Sequence, residues 1–255
     1  MDAKQHETLT IEQFTQQAIP FAKLPGHSTA LDILADLACP DENTIMLDVA
    51  CGPGIVACHF APSVRHVTGL DLTPEMIRQA TQLQAERGIT NANWIEGTAL
   101  PLPFDDNEFS LVLTRYSFHH FRQPAAVMKE LIRVCMPGGR VVVADVSLPE
   151  PQTINYDKLE MLRDPSHVHA LSRDEFSALF IDSALSSVQF AEYKVDLALE
   201  DQIQASFPVE GGAERIRRMI REDVGVNLYD VNAYFDSGSL HYSIPIVVGA
   251  ATKNG

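Results

Sequence analysis

Ile45-Met46-Leu47-Asp48-Val49-Ala50-Cys51-Gly52-Pro53-Gly54 passes from an apolar run straight into a turn with two glycines. The run has the length and β-branched content of a buried strand. A second apolar stretch, Val64-Arg65-His66-Val67-Thr68-Gly69-Leu70, ends on Asp71, 17 residues after Gly54. An acid follows the turn of a nucleoside-binding βαβ unit at a separation of roughly 20. Glycines let a ligand lie against bare backbone, and the carboxylate can accept hydrogen bonds from both ribose hydroxyls. Strand, turn, helix and acid in this order make a nucleoside-binding half-site. The turn is not the dinucleotide fingerprint, because the sixth residue counted from Gly52 is Ala57 rather than glycine.

Outward from this unit, strands and helices alternate. Upstream, 10–22 and 27–38 read as helices, the first ending near Pro20, the second with Ala30, Ile33, Leu34 and Leu37 at helical spacing. Pro40-Asp41-Glu42-Asn43 breaks the chain before the first strand. Downstream, Thr73 is expected as an N-cap, with Pro74 at the first helical position and Glu75 facing the dipole. Met76, Ala80 and Leu83 give that helix a buried stripe, and Gly88 a stop. Strands follow at 93–96 and 109–114. A helix then carries Val127, Leu131, Val134 and Cys135, and Pro137-Gly138-Gly139 turns into a β-branched strand over 140–146. This rhythm predicts an α/β fold with a doubly wound, mostly parallel sheet and ligands at the carboxyl ends of its strands. Beyond Asp145 the pattern loosens to a helical patch at 156–162, a capping box from Ser172 to Glu175, a strand near 188–195, a helix near 213–221 and an alternation over 240–248.

Composition narrows the classes of function. An apolar fraction of 45% and a charged fraction of 21% over 255 residues suit one enlarged α/β domain with a large core. A formal net charge of −15 argues against nucleic acid and anionic membranes as partners. The cluster Arg215, Arg217, Arg218 and Arg221 reads as the solvated side of an amphipathic helix, with Ile216, Met219 and Ile220 opposite. Cys39, Cys51, Cys58 and Cys135 form no C-x-x-C pair, which predicts reduced thiols and no metal site. The polar N-terminus lacks a signal-peptide core, and no apolar run approaches the ~18 residues of a membrane helix, so a cytoplasmic location is expected.

The run Leu47-Asp48-Val49-Ala50-Cys51-Gly52-Pro53-Gly54 resembles the first motif of class I S-adenosylmethionine-dependent methyltransferases. Gly69-Leu70-Asp71-Leu72-Thr73-Pro74-Glu75-Met76 resembles the second motif, and Gly97-Thr98-Ala99-Leu100-Pro101-Leu102-Pro103-Phe104 the third. The segments 109–121 and 131–145 resemble the fourth and fifth. The chain is most similar in flavour to the ubiquinone and menaquinone methyltransferases, over about 14–145. The resemblance implies S-adenosyl-L-methionine as cofactor, contacted by Asp48, Ala50, Gly52, Gly54, Asp71, Leu72, Met76, Thr98, Ala99 and Arg115. It implies an N-terminal helical lid at 1–40, a cofactor-binding core at 41–147, and at 148–255 the rest of the sheet, with an antiparallel edge and substrate-covering insertions that form a small helical cap. The third motif departs from the family, because Thr98 stands where many relatives have an aspartate for the adenine amino group. A hydroxyl can accept that bond, without charge assistance.

Candidate catalytic residues are His119, His120 and His167. In Thr114-Arg115-Tyr116-Ser117-Phe118-His119-His120-Phe121, a pair of histidines follows the fourth strand, at the edge where reacting atoms belong. They could bind metal, act as a base, or pack in a turn. On a short helix neighbouring side chains diverge by about 100°, which disfavours joint ligation of one ion. His167 and His169 fall in the expected cap, and Phe14, Phe21 and Lys23 in the expected lid, where aromatic residues seal a pocket against water. The reading is methyl transfer to a small-molecule acceptor on O, N or C, an aromatic or heterocyclic metabolite fitting the class, by a monomer or homodimer. A cyclase or binding protein that uses the cofactor structurally, and a dinucleotide oxidoreductase, stay as alternatives. The glycine spacing speaks against the last.

Overall fold

Strand β1 (Ile45–Val49) lies at the centre of the sheet because both of its faces are apolar: Met46, Leu47 and Val49 are wholly buried. It pairs in parallel with β2 (His66–Asp71) on one side and with β4 (Phe109–Arg115) on the other. β3 (Ala92–Glu96) extends the sheet beyond β2, and β5 (Cys135–Val146) extends it beyond β4. β8 (Ser239–Lys253) then adds antiparallel to β5, β6 (Leu185–Ala198) antiparallel to β8, and the short β7 (Tyr234–Asp236) pairs with β8. The order is β3-β2-β1-β4-β5-β8-β6. The expected doubly wound sheet with an antiparallel edge is therefore what the chain forms. The computed structural model describes residues 2–22, 30–181 and 184–255, without the side chains of residues 21 and 22. Lys23, the side chain of Phe21 and the expected start of the second helix at 27 lie outside the described residues.

Alternation along the strands sends side chains to two separate cores. Met46, Leu111, Leu113, Val142 and Ala144 meet α2 (Leu31–Ala38), α3 (Ile55–Phe60), α6 (Glu150–Arg163) and α9 (Gly212–Asp223) on one face. Leu47, Val49, Val112, Val141 and Val143 meet α5 (Pro124–Val134) and α7 (Arg173–Ala178) on the other. Ile216 and Ile220 are buried on α9 while Arg217 pairs with Glu200 and Glu214 outside, the expected amphipathic division. Among the described residues no helix is long and apolar enough to cross a membrane.

Several local expectations hold and others shift. Ser172 and Glu175 form the capping box of α7, at 3.2 Å and 2.8 Å. Gly88, at φ +64°, follows the end of α4 (Pro74–Glu86). Thr73 occupies the N-cap position of α4, but its hydroxyl makes no capping bond; the Thr73 N–H is instead bound by Asp71 at 2.8 Å. α1 (Ala3–Ala22) begins seven residues earlier than its periodicity indicated. Asp2 and Gln5 explain this, since each side chain accepts the other's backbone N–H, at 3.0 Å and 2.9 Å. The expected turn at Pro137-Gly138-Gly139 is absorbed into β5, where the register against β4 shifts. α8 (Leu199–Ser206) lay unread inside the loosely patterned C-terminal segment.

Gly54 is fixed by the fold itself. It has φ +77°, and a Cβ there would stand 2.8 Å from the Trp94 ring and 2.9 Å from the Ala80 methyl. Gly54→Ala should lower stability by about 2–4 kcal/mol, summing left-handed strain and overpacking. Urea denaturation measures it; a loss below about 0.5 kcal/mol would contradict the packing described.

Candidate active site

Strand order reverses between β1 and β4, so the chain leaves their carboxyl ends in opposite directions and opens a crevice there. The backbone kinks at once on both sides: Ala50 after β1 has φ +54° and Tyr116 after β4 has φ +58°. For side chains larger than glycine such conformations carry roughly 1–2 kcal/mol of strain each, and they concentrate at functional sites. Thr114 ties the two strand ends together by donating to the Val49 carbonyl at 2.7 Å.

A cavity of about 380 Å³ fills the crevice and continues beneath α1 and α6. Asp48, Ala50, Gly52, Asp71, Leu72, Met76, Thr98, Ala99 and Arg115 line one end. Asp71 holds the glycine turn in shape, its Oδ2 accepting the Gly52 N–H and its Oδ1 the Thr73 N–H, both at 2.8 Å. Asp48 accepts the Ala57 N–H at 3.1 Å, in the first turn of α3. Thr98 donates its hydroxyl to the carbonyls of Leu100 and Pro101, both at 3.3 Å, which leaves the oxygen as an acceptor. Arg115 lies over the Tyr116 ring at 4.2 Å and donates to its hydroxyl at 2.7 Å; that hydroxyl also meets Tyr193 at 2.8 Å. Gly54 is the exception among the nine-plus-one residues read from the first three motifs and β4. It does not line the cavity, because it packs inward against Trp94 and Ala80.

The other end is walled by His119 and His120, by Tyr156, Glu160, Arg163 and Asp164 around α6, and by Val195, Leu197, Ile244 and Ile246 from β6 and β8. Phe14 lines the roof with His6, Glu7 and Thr10 of α1, and its ring meets His120 edge-on at 5.0 Å. α1 is anchored by Gln13 and Gln17, which donate to the Ser206 carbonyl at 2.6 Å and 3.1 Å, and by His6, which donates to the Ser166 carbonyl at 3.0 Å. His119 donates Nδ1–H to Asp145 at 2.6 Å, which leaves Nε2 with its lone pair. His120 donates to the Ser166 carbonyl at 3.1 Å.

His167 lies apart from the other two candidate histidines. It stands one ring behind the wall, 5.6 Å from the His119 ring, with Nε2 on Asp157 at 2.7 Å, and does not line the cavity. His169 is further out, bound to Asp157 and Glu175. Proline at 165 and the buried Asp164–Ser166 turn direct both rings toward α6 and α7 rather than toward the crevice.

Known proteins share this fold. Residues 47–143 match the methyltransferase domain family. The chain is 32% identical over 168 residues to the uncharacterized methyltransferase YcgJ of Bacillus subtilis, covering 65% of this chain and 66% of that protein. The crystal structure of YcgJ superposes with a TM-score of 0.80 at 25% identity, over 90% of this chain and 99% of that one. Residues 47–143 are a class I methyltransferase domain. A putative methyltransferase of Bacillus halodurans C-125 superposes on this chain with a TM-score of 0.77 at 25% identity, over 89% of this chain and 100% of that one. A demethylmenaquinone methyltransferase of Listeria monocytogenes is 32% identical over 111 residues, or 42% of this chain and 47% of the relative. These sequence matches span 66% or less of the curated relatives' own lengths.

Burial shapes the titration of the cavity. Desolvation pushes Asp48 up from 3.8 to about 7; the Ala57 N–H opposes it, the Asp71 charge adds to it and Arg115 offsets part. Desolvation also lowers His120 to about 3, helped by its neighbour His119. For His119 burial pulls downward, but Asp145 outweighs it and the ring is raised above 6.5. Burial works against the Asp145 carboxylate too, yet His119 and two backbone N–H groups hold it below 3.8.

Sequence reasoning passed over Asp145, Glu160, Arg163, Asp164 and Gln202. Asp145 had a visible signal: like Asp71, it is an acid closing a buried strand. The others sit on helices whose own patterns give no sign of what they face.

Two outcomes follow from these shifts. Because folded Asp48 keeps its proton to higher pH than the unfolded chain, its burial adds a cost that grows as pH rises from about 4 to about 7. Asp48→Asn should therefore gain stability relative to the parent across that window, by up to ~4 kcal/mol at ~1.4 kcal/mol per unit. Parallel denaturation curves at the two ends of the window check it, and a pH-independent difference would refute the assignment. For the dyad, Asp145→Asn should move the His119 titration to lower pH, read from its ring protons by NMR; an unmoved titration would show that Asp145 is not its charge partner.

Proposed function

We propose that this chain transfers the methyl group of S-adenosylmethionine to a small-molecule acceptor, with His119 as the base that receives the acceptor's proton. The observation that carries this reading is a single cavity whose wall runs from the Asp71 carboxylate and the Gly52 turn to the His119–Asp145 pair.

The residues at the first end suit the cofactor. Asp71 is held by the Gly52 and Thr73 N–H groups with its carboxylate on the cavity wall, where it can receive the hydroxyls of a ribose. Gly52, at φ +52°, has nothing within 4 Å of where a Cβ would stand, leaving its backbone open to a ligand. Leu72 and Met76 offer apolar surface to a planar base, with the Thr98 oxygen as acceptor for its amino group. Asp48, Ala50, Arg115 and Ala99 complete this set.

The bound sulfonium supplies an already activated methyl group. What remains for the protein is alignment, which contributes ~7–11 kcal/mol in well-oriented systems, and removal of a proton. Asp145 fixes the tautomer of His119 and stabilises the imidazolium it becomes, as a buried carboxylate does for a histidine base elsewhere. Since Asp145 raises His119, the neutral base forms only as pH climbs above its ordinary 6.5, so turnover should rise with pH through that region. His120, lowered to about 3, stays neutral and shapes the wall.

Asp71→Ala should cost ~1.5–3 kcal/mol of cofactor binding, the contribution of hydrogen bonds to a charged acceptor. Calorimetry with S-adenosylmethionine and with its demethylated product tests this on both proteins. Binding of NAD with no binding of S-adenosylmethionine would overturn the reading.

A further inference from the structure

At the far end of the cavity, two hydrogen-bond acceptors have no donor, and one of them is fully buried. Glu160 of α6 is 3% exposed and lines the cavity. Arg163 donates Nε and Nη2 to its Oε2, at 2.8 Å and 2.5 Å, and Oε1 receives nothing. Gln202 of α8 is 5% exposed and lines the same cavity, and its Oε1 is buried without a partner. Buried polar atoms of folded proteins are nearly always satisfied, so the orphaned Gln202 oxygen, with the open Glu160 oxygen lining the same cavity, marks the place of a missing donor.

The charge balance narrows what can bring it. Asp164 and Asp145 are buried beside Glu160, and the one arginine among them is occupied on all three nitrogens: two face Glu160, and Nη1 donates to the Ser206 hydroxyl at 3.0 Å. The Arg163 guanidinium is therefore not open to a carboxylate or phosphate, which recognition of such groups calls for, and the cavity's other arginines, Arg115 and Arg122, lie on and after β4 rather than on α6. An anion here would meet the Glu160 oxygen directly. Across from this wall, Val195, Leu197, Ile244 and Ile246 present side chains of β6 and β8 with no polar atoms.

We propose that the methyl acceptor is a non-anionic, largely apolar small molecule bearing a hydroxyl or an amine, which donates to Glu160 and Gln202 while its apolar body lies on β6 and β8. The assignment rests on the methyl-transfer reading.

Three naphthalene probes that differ only in their polar group test it: 2-naphthol, 2-naphthylmethylamine and 2-naphthoate. Calorimetry first measures S-adenosylhomocysteine binding, then each probe on the loaded protein. The hydroxyl or the amine probe should bind about tenfold or more tightly than the naphthoate. Gln202→Leu should weaken the preferred probe by about tenfold and leave S-adenosylhomocysteine affinity unchanged. Glu160→Gln should weaken the amine far more than the hydroxyl, which tells the two donor types apart. If that variant fails to fold, with Arg163 left unpaired, the Gln202→Leu result decides. Naphthoate binding as tightly as the others, no probe binding at all, or parental affinities in both folded variants would overturn the proposal. Should S-adenosylhomocysteine fail to bind while the probes keep this ranking on the unloaded protein, the methyl-transfer reading falls and the preference of the pocket stands.

Discussion

Everything at the site depends on β1 and β4 being paired in parallel yet sending the chain to opposite faces of the sheet. Val49 and Thr114 are the last partners in that ladder, and beyond them the two segments no longer pair with each other. The strained residues Ala50 and Tyr116 sit at this parting, and the Thr114 hydroxyl closes the gap that the ladder leaves. Peptide groups freed from the sheet must then find other partners. The Gly52 and Thr73 N–H groups find theirs on Asp71, and the Phe118 and Val146 N–H groups on Asp145. The same carboxylates that satisfy the loosened backbone therefore border the cavity.

That double duty accounts for what the sequence disclosed. Asp48, Asp71 and the glycine turn were legible because their roles are local: strand, turn and acid are close in the chain and the spacing carries the geometry. Gly54 shows the limit of such local reading. A glycine in that turn looks like a ligand contact, whereas Trp94, 40 residues on, makes it a packing requirement. The histidine pair after β4 was visible, but its division of labour was not. His119 and His120 are adjacent in sequence, and what separates a raised ring from a lowered one is a carboxylate on β5 against a carbonyl at Ser166.

The second end of the cavity was almost silent. Glu160 and Arg163 are three apart on a helix, which ordinarily reads as an exposed surface pair worth little. Here both are buried, and Arg163 reaches the Ser206 hydroxyl of α8. His167 went the other way: a histidine in a covering segment invites a functional reading, and Asp157 turns its ring away. Periodicity tells which residues share a face, and nothing about which partner from 150 residues away will cover it.

The roof over the cavity has a consequence for the order in which the molecule is assembled. Residues 48–115 supply the whole of the first end, so that half can take shape as soon as four neighbouring strands have paired. The second end draws on α1, on α6, on α8 and on the strands that carry Val195 and Ile246, and Gln13 reaches its partner across 193 positions of chain. Contacts of such separation carry the largest loop-closure entropy and come late. The nucleoside half can thus exist before its counterpart does, and the chemical identity of what it reacts with is written in the last part of the chain to find its place.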